Sequence, residues 1–210
     1  MSDRNYIDCV QGSDEWFQAR LGIVTASRFK DVLNSGVGRG RYMKFLASKD
    51  QGEGYQSKSM KNGHTYEPFA RKFYEDKYSV TVEQVGFIRW GRIGCSPDGL
   101  VGDDGGIEIK CSEGKSHGKI LEKQKMPATH IPQVQGCMWV SGRKWWDFCS
   151  YTPFPAEEEA FFCIRIERDD NYIDNILKPA CEMFLQELND FCEIMKRRQN
   201  GSTGNSDNSE

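Results

Sequence analysis

The chain has 210 residues and a formal net charge of −3. Hydrophobic residues make up 38% and charged residues 28%, a globular balance that excludes a low-complexity or fibrous chain, and no apolar run approaches the roughly 20 residues that a membrane helix needs. The acidic balance argues mildly against a general nucleic-acid binder, although a local basic groove can coexist with an acidic exterior.

This length suits one domain with a single core, expected over residues 1–198, and the first residues carry no apolar stretch behind a basic one. A cytoplasmic protein is the expectation. Eight cysteines (Cys9, Cys95, Cys111, Cys137, Cys149, Cys163, Cys181 and Cys192) are scattered without a C-x-x-C pair, and the 3 histidines are dispersed. Zinc and iron–sulfur sites show paired ligands at short spacing, so free thiols in a reducing compartment are expected.

In chain order, Gly12-Ser13-Asp14-Glu15 offers a helix start before Trp16, Phe17 and Leu21. A second helix is predicted from Thr25 or Ser27 through Leu33. The run Ser35-Gly36-Val37-Gly38-Arg39-Gly40-Arg41 reads as a flexible basic loop. Residues 41–49 read as helix and 50–59 as loop. From Gly63 to Tyr78, Tyr66, Phe69, Ala70, Phe73 and Tyr74 recur at helical spacing. Strands are predicted over Thr81–Arg89, Ile93–Cys95 and Gly106–Cys111, then helices over Ser116–Lys123 and Ile131–Val140. Strands Trp146–Tyr151 and Phe161–Glu167 and a long helix from Asp170 to Arg197 complete the domain. The Gly/Ser/Asn-rich tail, residues 199–210, reads as disordered. This order predicts an α/β fold in which helices flank one central mixed sheet.

The chemistry is concentrated in Ser96-Pro97-Asp98-Gly99 and Gly106-Ile107-Glu108-Ile109-Lys110. Two residues apart on a strand, Glu108 and Lys110 share one face while Ile107 and Ile109 face the other. The turn over residues 102–106 brings Glu108 back beside Asp98. Two carboxylates and an amine then converge, which suits a hard cation such as Mg²⁺ at a phosphodiester. The Ile109 carbonyl offers a further oxygen, and a lysine there can orient or deprotonate water. Taken alone, the short pattern also fits an exposed acidic hairpin. Glu67 faces the core edge of its helix, and Gln135 falls on an apolar side where a buried amide needs partners; a surface acid and a backbone-satisfied amide remain the plain alternatives.

Together with Trp16, Arg20-Leu21-Gly22-Ile23-Val24-Thr25-Ala26-Ser27, Gly63-His64-Thr65-Tyr66-Glu67 and Gln133-Val134-Gln135, these motifs occur in the order found in one family. The chain resembles the lambda-exonuclease (YqaJ-like) viral recombinases of the PD-(D/E)xK nuclease superfamily, over roughly Gly12 to Phe191. The resemblance implies a restriction-endonuclease-like core and a Mg²⁺-dependent 5′→3′ exonuclease on double-stranded DNA, with Mn²⁺ as substitute. It makes Asp98, Glu108 and the Ile109 carbonyl metal ligands, Lys110 the residue that activates water, and Glu67 and Gln135 further catalytic residues. Arg20, Thr25 and Ser27 would receive the terminal 5′-phosphate, as an arginine near a Thr/Ser-rich helix start can. Ser96, Arg39 and Arg41 would contact DNA. His130 stands where a tyrosine often precedes the Q-V-Q helix, and carries no assigned role. The resemblance further implies a homotrimeric ring, a single-strand annealing protein as partner, no membrane, and a phage-encoded protein in a bacterial cytoplasm. A PD-(D/E)xK endonuclease and a non-catalytic DNA-binding subunit remain the alternatives.

Overall fold

The computed structural model describes residues 3–48, 58–111, 114–153 and 159–202. Helix α1 (Asp14–Arg20) starts where expected: Ser13 is its N-cap and accepts the Trp16 amide at 3.3 Å, which satisfies one of the orphan donors of the first turn. A 3₁₀ turn (Ala26–Arg28) leads into the short α2 (Phe29–Leu33) and then α3 (Val37–Ala47). The chain at Val37 to Arg41 is therefore helix, not the flexible loop its glycines suggest. Tertiary anchoring overrides their low helix propensity: Arg39 donates to the Val32 carbonyl and pairs with Glu187 at 2.7 Å.

Helix α4 (Lys58–Tyr78) begins earlier than expected, whereas most of the predicted loop over residues 50–59 lies outside the described residues. Helices α5 (Gly114–Lys123) and α6 (Ile131–Ser141) follow. The last helical stretch runs as α7 (Asp170–Tyr172), a π turn (Ile173–Leu177) and α8 (Lys178–Ser202). Residues 199–202 thus continue α8 instead of opening the tail; residues 203–210 lie outside the described ones.

The fold is α/β as predicted, but its strands divide between two mixed sheets where one was expected. β1 (Asn5–Ile7), β2 (Val24–Thr25), β4 (Phe87–Trp90) and β5 (Ile93–Cys95) form one, in the order β1-β4-β5-β2. β3 (Val82–Glu83), β6 (Gly99–Val101), β7 (Gly105–Cys111), β8 (Trp145–Tyr151) and β9 (Phe161–Glu167) form the other, in the order β3-β6-β7-β8-β9. The segment read as one strand over Thr81–Arg89 is broken between them. It crosses at Gly86, whose backbone lies so close to Cys9 that a Cβ would stand 2.2 Å from the Cys9 carbonyl oxygen.

The five-stranded sheet sorts its side chains by alternation. Glu108 and Lys110 on β7 register with Phe148 and Ser150 on the parallel β8, and these with Ile164 and Phe162 on β9. That face is covered by α6, where Val134, Cys137 and Met138 join Leu100 and Trp146 in the main core, and by α5, where Ile120 meets Phe148 and Phe162. On the reverse face Ile107, Ile109, Cys149 and Phe161 pack against Ala70 and Tyr74 of α4. Full burial of side chains of this size contributes about 1.5–3 kcal/mol each, so β7 is held rigidly from both sides. One contact of α6 with the start of α2 and the 3₁₀ turn before it is especially close: a Cβ on Gly136 would fall 2.4 Å from the Phe29 ring and 3.3 Å from Ala26 Cβ. All eight cysteines are free thiols.

Candidate active site

Asp98 precedes β6 by one residue. The β6–β7 ladder pairs Gly99 with Ile107, and one further step sets Asp98 opposite Glu108. The Ile109 amide donates to Asp98 Oδ2 at 2.6 Å. Glu108 is 1% exposed. Its Oε1 forms an ion pair with Lys110 and accepts the Gln133 side-chain amide at 2.6 Å. Its Oε2 is buried with no hydrogen-bond partner among the described residues. Such an orphaned carboxylate oxygen is costly unless something else supplies positive charge.

Glu67, on α4, pairs with Arg71, whose Nε donates to the Asp98 carbonyl at 3.1 Å. This bond ties α4 to the Asp98 loop. Three carboxylates thus converge on two cations. Burial, with the charges of Glu108 and Glu67, pushes the Asp98 carboxyl well above the usual carboxylate range, and Lys110 only partly opposes this. Burial lowers the Lys110 pKa, but Glu108 and Asp98 outweigh it and hold the amine protonated above its ordinary value.

These donors fit a hard cation. Among the described residues no three His, Cys, Asp or Glu side chains form a closed metal cage. Two carboxylates and a peptide carbonyl leave coordination positions to water and substrate, as Mg²⁺ sites usually do. A cleft of about 550 Å³ opens beside the cluster, lined by Glu67, Arg71, Pro97 and Asp98 and, across from them, by Asp8 and Gln11. Gln11 fastens that opposite wall by donating to the carbonyls of Val85 at 3.1 Å and Pro97 at 2.8 Å.

The glutamine at the site is Gln133, not Gln135. Gln135 donates to the Glu167 carbonyl and accepts the Asp169 amide, both at 2.9 Å, so its amide is used up in joining α6 to the end of β9. Residues two apart on a helix point about 200° apart, and the sequence pattern picked the wrong one. His130 is half-buried, its ring 5.2 Å from that of Phe148. Burial, then Lys110 and Lys30, push its pKa down to about 4, so it is neutral at neutral pH.

Arg20 lies over the Trp16 ring, 3.8 Å from its centroid. It donates to Ser96 Oγ at 3.0 Å, and Trp16 Nε1 donates to the same oxygen at 2.9 Å. Burial lowers the Arg20 pKa to about 10, still cationic at neutral pH. Ser96 thus connects Arg20 to the loop that carries Asp98. The Thr25 amide donates to the Tyr42 hydroxyl at 2.9 Å, and Thr25 Oγ1 stands 3.3 Å from Ser27 Oγ. Thr25 is buried and Ser27 exposed. The helix start expected there is only a 3₁₀ turn followed by five α-helical residues, and the Thr25 side chain makes no capping bond. A helix dipole therefore contributes little, and positive charge comes from side chains. Arg28, which no sequence motif marks, lies beside this locus: the guanidinium stacks 4.6 Å from the Tyr42 ring centroid, its charge paired with Asp31. Only its folded direction reveals this.

Of the two expected DNA-contacting arginines, Arg41 is exposed on α3. Arg39 is not available: with 13% side-chain exposure it is held by Val32 and Glu187 and packs on Phe184.

Residues 15–144 match the YqaJ-like viral recombinase domain. The chain is similar to an alkaline exonuclease (LHK-Exo) from Laribacter hongkongensis, at 39% identity, with 90% of this chain and 99% of that chain covered and a TM-score of 0.84. The same Laribacter enzyme in complex with dAMP matches at 38% identity, equal coverage and a TM-score of 0.84. A phage-related exonuclease from Haemophilus somnus 129PT shares the fold, at 16% identity, 80% and 96% coverage and a TM-score of 0.65. No curated protein matches.

Proposed function

This chain belongs to the YqaJ-like viral recombinase family of the PD-(D/E)xK nuclease superfamily, and from that premise we propose that it is a Mg²⁺-dependent exonuclease acting 5′→3′ on double-stranded DNA. It is a metal-dependent deoxyribonuclease; the direction, the release of mononucleotides and the 3′ single-stranded overhang are the specific proposal. The observation that carries it is the buried, partnerless Oε2 of Glu108, on a carboxylate whose other oxygen pairs with Lys110. The dAMP complex of the Laribacter relative supports mononucleotide release.

Asp98, Glu108 and the Ile109 carbonyl would hold the ion, which supplies Lewis-acid polarisation of the scissile phosphodiester. Lys110, protonated and aimed by Glu108, orients the attacking water and meets the negative charge that grows on the phosphate. Gln133 fixes the rotamer of Glu108. Glu67, steered by Arg71, takes the outer side of the cluster. Arg20, Thr25 and Ser27 hold the terminal 5′-phosphate, with Ser96 between them and the metal loop, and Arg41 meets the DNA backbone. We further propose a homotrimer around DNA, a single-strand annealing protein as partner, and action in the cytoplasm of a phage host. No helix among the described residues is long and apolar enough to cross a membrane.

The test is incubation of linear and nicked-free circular duplex with Mg²⁺. An exonuclease consumes the linear form and leaves the circle intact. Cleavage of the circle would make the chain an endonuclease, and no cleavage of either would make it a binding subunit.

A further inference from the structure

Helix α5 stands beside the catalytic strand on the catalytic face. The Lys110 position on β7 registers with Ser150 on β8, and Ser150 Oγ bonds His117 Nδ1 of α5 at 2.8 Å. His117 is 1% exposed and its other ring nitrogen reaches the Glu159 carbonyl at 2.6 Å. With Ile120 packed on Phe148 and Phe162, α5 is fastened one strand away from Lys110, its inner face fully used.

The outer face carries Lys115, Lys119 and Lys123 at i, i+4 and i+8, all exposed. That spacing puts the three ammonium groups along one side of the helix, where like charges repel. None makes an ion pair among the described residues. Lys115 moreover lies in the first turn, where a cation opposes the helix dipole. Lys123, in the last turn, suits the helix dipole, but the stability of α5 accounts neither for Lys115 in the first turn nor for the row of three, in a chain whose net charge is −3.

We propose that the outer face of α5 is a phosphodiester-binding track, along which Lys115, Lys119 and Lys123 grip the backbone of the DNA whose end lies in the catalytic site. This rests on the nuclease reading and adds the surface and the strand of lysines that hold the substrate. The His117–Ser150 bond sets the separation between track and Lys110.

The experiment measures the affinity of the full-length protein for linear duplex at several salt concentrations, with EDTA present to prevent cleavage. Each phosphate contact contributes about −0.9 to the slope of log K against log salt. Changing Lys115→Gln, Lys119→Gln and Lys123→Gln together should flatten the slope by about 2–3, and three lysine-to-arginine changes should restore it. The single-turnover rate at saturating duplex with Mg²⁺ should stay within about twofold of wild type, because none of the three reaches the reacting atoms. A slope unchanged in the glutamine variant, at unchanged melting temperature, overturns the track. So does a flattened slope that arginine fails to restore. Absence of Mg²⁺-dependent cleavage by wild type would overturn the nuclease reading instead, independently of the slopes.

Discussion

The Ile109 amide donates to Asp98 Oδ2 at 2.6 Å, so the two halves of the metal motif are joined by a protein bond before any ion binds. That bond aligns Asp98 against the strand carrying Glu108 and Lys110, and it does so against the mutual repulsion of the carboxylates.

Asp98→Asn should therefore separate charge from shape. The amide keeps an acceptor for Ile109 but removes one negative charge. Because the folded-state pKa of Asp98 is raised, its ionised form opposes folding above the ordinary carboxylate pKa. In EDTA the variant should melt at or above the wild-type temperature, and wild-type stability should increase as pH falls below neutrality through that raised pKa. Mg²⁺ should raise the wild-type melting temperature and leave the variant unmoved. A variant that still cleaves DNA at the wild-type rate sinks the metal assignment.

Lys110→Ala should cost about 10²–10⁴ in cleavage rate while titration calorimetry still detects divalent metal, since the amine is not a ligand. Glu108→Ala should lose both metal binding and cleavage. Loss of metal binding in the lysine variant as well would give that residue a structural part in the cluster.

The two glutamines of α6 should behave oppositely. Gln135→Ala takes the partner from the Glu167 carbonyl and the Asp169 amide; both residues are exposed, so the cost for each is about that of one net hydrogen bond, roughly 0.5–1.5 kcal/mol. Its melting temperature should drop by several degrees, with the turnover of the folded fraction preserved. Gln133→Ala leaves Lys110 as the remaining partner of Glu108 Oε1, so the aim of the carboxylate is lost and activity should fall by about tenfold or more, with the folded fraction kept by that ion pair. The reverse pattern would restore the role that the sequence gave to Gln135.

Arg20 should govern the choice of DNA end. Duplex with a 5′-phosphate should be degraded much faster than the same duplex with a 5′-hydroxyl, and Arg20→Ala should erase most of that ratio. Arg20→Lys should not recover it, because an ammonium lacks the planar stack on Trp16 and the fork that also reaches Ser96. Equal phosphate-to-hydroxyl ratios in wild type and Arg20→Ala would place the pocket elsewhere.

Light scattering should give about three times the monomer mass, and deletion of residues 203–210 should not change it. A strict monomer at micromolar concentration would remove the ring.

What the sequence disclosed follows from how local each signal is. Period-two alternation put Glu108 and Lys110 on one face, and Ser13 announced α1, because both depend on neighbours alone. The strands Asn5–Ile7 and Val24–Thr25 are too short to show any period. The division into two sheets depends on which distant strand Val82 and Ile88 pair with, namely Val101 and Cys95. Helix α3 is held by Glu187, 148 residues from Arg39. Gln133 and Gln135 both sit among apolar residues, and only the folded position of the β9 terminus decides which amide is spent on backbone.

The close seat of Gly136 on Phe29 and Ala26 makes α6 a gauge block. Three residues apart on that helix, Gln133 and Gly136 share a face: the first reaches Glu108, and the second bears on Phe29 and Ala26, beside Thr25 and Ser27. On the proposed roles, this single contact holds the 5′-end residues in fixed register with the metal residues. A methyl group added at Gly136 would have to push the Phe29 ring and α6 apart, by far less than the length of a nucleotide, so the enzyme would register the change as slower cleavage of the same first bond and not as a longer product.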